Sequence, residues 1–170
     1  MERRFALAPM SRSIAILTAL LWGVPILFLL LAALGPAPLF LGAVGLAVAA
    51  LYGAVWLWWR PAAFIVSGAG LRVRFPGRRV EIPAHDVTGA RVLGAEEFKR
   101  EFGLSLRVGA GGLWGGFGWL WTSRGGWVEF YVSRTDGFVL VARRAGTPLL
   151  VTPEDPEGFA EALRVQSGSS

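Results

Sequence analysis

The sequence predicts two membrane-crossing helices followed by one small, mainly β domain that a C-terminal helix caps. Three observations carry this prediction. Two runs free of charged side chains, residues 13–34 and 39–59, are each long enough to cross a bilayer. After Arg60-Pro61 charges return every few residues, and apolar residues begin to alternate with polar ones. Near the end, Asp155-Pro156 opens a stretch with Phe159 and Leu163 four apart.

Met1 to Arg12 reads as a short basic tail. Ser13 to Leu34 exceeds the apolar core of a secretory leader, and a second span follows at once, so it reads as a retained helix. Leu34-Gly-Pro-Ala-Pro38 stops that helix and permits only an antiparallel hairpin. The second run, Leu39 to Trp59, makes a helix of ~31 Å at ~1.5 Å per residue, the thickness of a hydrocarbon core. It ends in Trp56, Trp58, Trp59 and Arg60, indoles and a cation suited to the headgroup level. The turn carries no Lys or Arg, whereas Arg3, Arg4, Arg12 and Arg60 flank the outer ends. The positive-inside rule therefore places an integral protein in the cell membrane with both termini in the cytoplasm.

Small residues recur every fourth position: Ser11, Ala15, Ala19 and Gly23 on the first helix, Gly45, Ala49 and Gly53 on the second. Such stripes let helices approach closely in lipid, either within the hairpin or against another protein. No ionisable residue lies inside either span, so no proton relay or ion path is indicated.

From Pro61 the period becomes two. Strands are expected at Ala63–Val66, Leu71–Phe75, Arg79–Ile82, Val87–Leu93, Leu104–Val108, Trp127–Val132, Phe138–Arg143 and Thr147–Val151. Ala95 to Phe102 is a short helix by Phe98 and Phe102 at i, i+4. Gly109 to Gly118 reads as a glycine-rich, aromatic-rich loop, and Asp136-Gly137 as the turn of a tight hairpin. Asp155 is placed as the N-cap of the last helix, and Gln166 to Ser170 as a polar tail. The fold class is thus a transmembrane hairpin (residues 13–60) and a bent antiparallel sheet or partly open barrel of about seven strands with a helical cap (61–165).

Composition narrows the function. The chain has no cysteine, which excludes disulfides and thiolate chemistry. Its net charge of +5 is almost all arginine, and much of it flanks the membrane runs. No basic-aromatic module points to nucleic acid. His85-Asp86 is the only acid-base pair in view, and it reads as an exposed loop His beside a turn Asp. One His without Cys offers no metal set, and the glycine stretch lacks both phosphate-binding patterns, so neither a cofactor nor a metal is expected. Its Leu113, Trp114, Phe117, Trp119 and Trp121 either pack over the open end of the sheet or dip into the headgroup layer.

Gly116-Phe-Gly118, Val128-Glu-Phe-Tyr-Val132 and Leu150-Val-Thr-Pro-Glu-Asp-Pro-Glu-Gly-Phe159 resemble the glycine loop, Tyr-ending strand and closing "SPxDPxxF" signature of the bacterial pleckstrin-homology-like family. The likeness covers residues 61–165 and lies with members carried on two N-terminal membrane helices. It implies a pleckstrin-homology-like fold and says little of function. Arg72-x-Arg74, with Arg78 and Arg79 following, resembles the phosphoinositide loop of the eukaryotic domains, but the preceding strand ends in Val66-Ser67 without a basic partner. These four arginines are expected to face anionic lipid, at ~1 kcal/mol each, or a protein partner. The chain reads as a non-catalytic, membrane-tethered binding or scaffold domain. The alternative is an accessory subunit that assembles, with itself or with another protein, through its hairpin.

Overall fold

Apolar residues on every side leave residues 13–34 and 38–58 no face for water, and they form two long helices. In the computed structural model, which describes residues 2–167, α1 spans Arg12–Leu34 and α2 spans Pro38–Trp58. Only 11% of the most apolar window of each is buried, so both lie largely outside the packed core and are long and apolar enough to cross a membrane. The Gly35 N–H closes α1 on the Leu31 carbonyl at 2.7 Å, and Pro38 begins α2 where its missing N–H costs nothing.

The helices pack antiparallel in a defined register. The Tyr52 hydroxyl donates to the Leu21 carbonyl at 3.3 Å, and the Tyr52 ring meets Trp22 edge-on at 5.5 Å. Gly45 lies against Phe28 and Leu29, where an added Cβ would come within 3.0 Å of Leu29 Cγ. The small-residue row is therefore inward on α2, at Gly45 and Ala49. On α1 the inward row is Thr18, Leu21, Trp22, Pro25 and Phe28, while Ala19 and Gly23 are exposed and Ala15 is partly covered. Gly53 has open space beside it.

The tail expected before α1 is a strand. β1 (Arg3–Ala6) pairs antiparallel with β2 (Ala63–Ser67), and β3 (Gly70–Arg74) and β4 (Arg79–Pro83) complete a four-stranded sheet. Arg3 and Arg4 face out and Phe5 enters the core. The chain before α1 and the domain after α2 thus share one end of the helix pair.

A second sheet holds β5 (Val87–Leu93), β6 (Ser105–Gly111), β7 (Gly116–Thr122), β8 (Gly126–Val132), β9 (Phe138–Arg143) and β10 (Leu149–Val151). Its order is β5-β9-β10-β8-β7-β6, and the two sheets do not close into a barrel. Two expectations are corrected here. The presumed loop 109–118 is mostly strand, because β6 runs on to Gly111 and β7 starts at Gly116. Glycine is needed where the two cross: Gly109 and Gly118 face each other with φ of +144° and +130°, and a Cβ on Gly109 would lie 2.3 Å from the Phe117 carbonyl oxygen. The Asp136-Gly137 turn does not make a hairpin, because the fully buried β10 inserts between β8 and β9 and runs parallel to β8.

α3 (Ala95–Phe102) stacks Phe98 on Phe102 at 4.7 Å. α4 (Pro156–Ser167) starts as its sequence predicts, with the Gly158 N–H donating to Asp155 Oδ1 at 3.0 Å. Its Phe159 is fully buried between Phe5, at 5.3 Å, and Phe64, at 5.7 Å, so the strand before α1 and the helix at the far end share one core. Of the polar tail, Gln166 and Ser167 continue α4, and 168–170 lie outside the described residues.

Candidate membrane-facing surface

The domain is fastened to the helix pair at three places. The first is the end of α2, whose last carbonyls have no partner within the helix. The turn between β3 and β4 supplies donors: the Gly77 N–H meets the Leu57 carbonyl at 2.8 Å, and Arg78 Nε meets the Trp58 carbonyl at 2.6 Å. A guanidinium here also opposes the negative end of the helix dipole. Arg78 lies 4.2 Å over the Phe75 ring and donates from Nη2 to the Tyr131 hydroxyl at 3.3 Å.

That hydroxyl donates in turn to Glu129. Burial, with the Glu129 carboxylate beside it, pushes the Tyr131 phenol well above its ordinary range. Glu129 lies 3.9 Å from Arg143, whose Nε donates to Asp86 Oδ2 at 3.0 Å. Asp86 is thus the buried anchor of a polar chain reaching back to α2, whereas His85 beside it is exposed. The Ala145 N–H, at 2.5 Å, and then Arg143 hold the Asp86 carboxyl below the ordinary carboxylate range, against the opposing effect of burial.

The second fastening is the segment leading into α1. The Ala8 N–H donates to the Thr152 carbonyl at 2.9 Å, Ser133 Oγ to the Ala8 carbonyl at 2.6 Å, and the Ser11 N–H to the Ser133 carbonyl at 3.2 Å.

The third is Thr18, one of the buried polar residues. Its hydroxyl lies 2.8 Å from the Ile14 carbonyl and 2.9 Å from the Gly112 carbonyl, and accepts from the Trp114 N–H at 3.0 Å. The Gly112 N–H closes on the Gly115 carbonyl at 2.9 Å, completing the turn between β6 and β7. Trp22 joins the contact at 6.3 Å from Trp114. Because Leu21 is level with Tyr52, Thr18 and Trp22 lie alongside α2 residues 55 to 51. The hairpin tip therefore passes the Trp58-Trp59 end of α2 by ~5–10 Å, at ~1.5 Å per residue.

The outer face of this hairpin is apolar. Leu106, Trp121 and Trp127 stand opposite one another on β6, β7 and β8, exposed at 64%, 42% and 47%. Val108 and Trp119, with Glu129 across from them on β8, form the next row, and with Trp58 and Trp59 they line a cavity of about 530 Å³. The exposed Trp58 and Trp59 at the end of α2, with Trp56 exposed one turn before, are thus continuous with an exposed aromatic sheet face, and Arg60 sits half-covered at the junction.

The four arginines separate into two kinds. Arg78 fastens α2, whereas Arg72, Arg74 and Arg79 border a cleft beside it. Arg72 pairs with Glu81 at 2.9 Å and Arg79 lies 3.8 Å from the same carboxylate, while Arg74 is exposed and has no ion pair among the described residues. Sequence reasoning missed Thr18, Tyr131 and the Asp86–Arg143 pair; only the Thr18 hydroxyl, flanked on both sides by apolar residues, offered a signal. Among the described residues no three metal-binding side chains converge.

A family model described as bacterial PH domain matches residues 62–167, more than half of the chain. No curated protein and no solved structure matches it.

Proposed function

This chain belongs to the bacterial PH domain family, and from that premise we propose that it is a membrane-tethered, non-catalytic binding domain serving as a scaffold at the bilayer surface. The fastening of α2 by Gly77 and Arg78 carries the reading, because it leaves the domain no free linker. The cleft bordered by Arg72, Arg74 and Arg79 stays within a Debye length, ~8–10 Å, of the surface, where each cation gains ~1 kcal/mol from anionic lipid. The hairpin tip, level with the first turns of α1, lies just beneath the headgroup level that Trp58 and Trp59 mark. The arginine flanks put both ends of the chain in the cytoplasm.

A photo-crosslinking residue at position 74 of the full chain, in its native membrane, tests this. An adduct of anionic phospholipid supports the lipid surface, and a protein adduct names a partner instead. With neither, the cleft is plain solvated surface and the binding role falls. The second reading, assembly through the hairpin, is favoured by the exposed Ala19 and Gly23 on α1.

A further inference from the structure

A groove of about 410 Å³ lies between the start of α1 and the inner face of the six-stranded sheet. It exists because β6 is an edge strand with little behind it: Ser105 and Arg107 line the groove and remain exposed. Phe98, Leu120, Phe130 and Leu150, all buried members of the second core cluster, make its floor. Ile14 and Leu17 of α1 form one wall, level with Trp59, just past the end of α2, and Trp56 within it.

The charges that line it have one sign. Lys99, Arg107 and Arg134 line the groove, and no carboxylate does. Lys99 and Arg134 share their charge with Glu96 and Asp136, while Arg107 makes no ion pair among the described residues. An apolar floor, a cationic border and an opening beside a membrane helix match one chemistry, an acyl chain with an anionic head. The volume falls in the ~300–1,000 Å³ range of small-ligand sites.

We propose that this groove takes one acyl chain of an anionic lipid from the adjoining leaflet, with the charged head on Arg107. The inference rests on the reading that α1 and α2 cross the bilayer. It differs from the arginine cleft, which would meet headgroups alone.

The test uses the full chain in nanodiscs of neutral lipid, with cis-parinaric acid as probe and its methyl ester as the uncharged comparison. The acid gives saturable fluorescence excited through the protein's tryptophans, and the ester binds about tenfold more weakly. Ser105→Trp, which fills the groove, abolishes the saturable signal. Arg107→Ser, on the exposed edge, weakens the acid about tenfold and leaves the ester unchanged. Equal binding of acid and ester, or wild-type binding by Arg107→Ser, overturns the proposal even if Ser105→Trp does not fold. Native mass spectrometry of protein taken from cell membranes fixes the source. A retained anionic phospholipid supports the leaflet, and a free fatty acid alone or no lipid overturns it. Release of the protein from membranes by alkaline carbonate would sink the spanning reading while leaving the preference for acid over ester intact, so the two failures are separable.

Discussion

The Trp114 N–H donates to Thr18 Oγ1 at 3.0 Å, joining residues 96 apart in sequence: the tip of a β-hairpin and the second turn of the long apolar helix α1. Trp114 holds φ at +56°, the one positive value on a non-glycine among the described residues, so this hydrogen bond supports a backbone that would not hold itself. Thr18→Val keeps the shape and removes the hydroxyl. It should cost ~1–3 kcal/mol, because the Trp114 N–H loses its acceptor in a site poor in water. Amide exchange at residues 112–116 should rise while exchange in β9 stays as it was. Unchanged exchange at the tip would show that packing alone holds it.

Arg78 and its neighbours should behave differently. Arg78→Ser removes the donor to the Trp58 carbonyl and the partner of Tyr131, and should lower the melting temperature of the full chain. Changing Arg72, Arg74 and Arg79 together to Ser removes exposed charges worth ~0–1 kcal/mol each and should leave the melting temperature nearly unmoved. Equal losses from the two variants would contradict the division of roles.

Phe159→Ala empties the space shared by Phe5 and Phe64 and should cost ~3–5 kcal/mol. Denaturant unfolding should also show a loss when Phe5 is changed to Ala, since β1 is part of the same core. An unfolding midpoint insensitive to Phe5→Ala would mean the first strand does not dock.

Asp86 sets a pH dependence whose sign follows from its depressed pKa. A carboxyl that is more acidic folded than unfolded stabilises above the unfolded value, ~3.9, and loses that contribution as pH falls through the folded one. Stability should therefore fall below about pH 4 in the wild type, and Asp86→Asn should remove part of that fall. At neutral pH the variant should cost ~1–3 kcal/mol, since Arg143 and the Ala145 N–H lose a charged acceptor. Parallel stability curves for the two proteins across that range would refute the assignment.

Much of this arrangement can be read from the chain because local chemistry and tertiary structure agree there. Leu71, Val73 and Phe75 are buried and Arg74 is exposed, as strict alternation requires, and Asp155-Pro156 starts α4. The family signature at 150–159 pointed to the same fold as the family model. What was not legible depends on distant partners. β1 has too few apolar residues to announce itself, since only Phe5 turns inward and its partner strand lies after both helices. Asp136-Gly137 favours a hairpin locally, and β10, arriving later, takes the place beside β8. Glycines 109 to 118 weaken a strand signal that the register with β8 restores. The same gap hid the surface. Arg72, Arg74 and Arg79 were visible as exposed cations, but Arg78 is spent on a carbonyl of α2 that no sequence pattern marks.

The placement of the hairpin tip in the membrane interface is open to direct measurement. The chain has no cysteine, so single labels need no background removal. Gly111, exposed with open space at its Cβ, accepts a nitroxide as Gly111→Cys, and Gly68, equally open at the far end of β2, serves as the aqueous reference. In the full chain in lipid bilayers, the label at 111 should collide readily with oxygen and poorly with a water-soluble nickel chelate, while the label at 68 shows the reverse. A label at 111 as open to the chelate as the one at 68 would place the hairpin in water and contradict the seat of the domain in the bilayer surface.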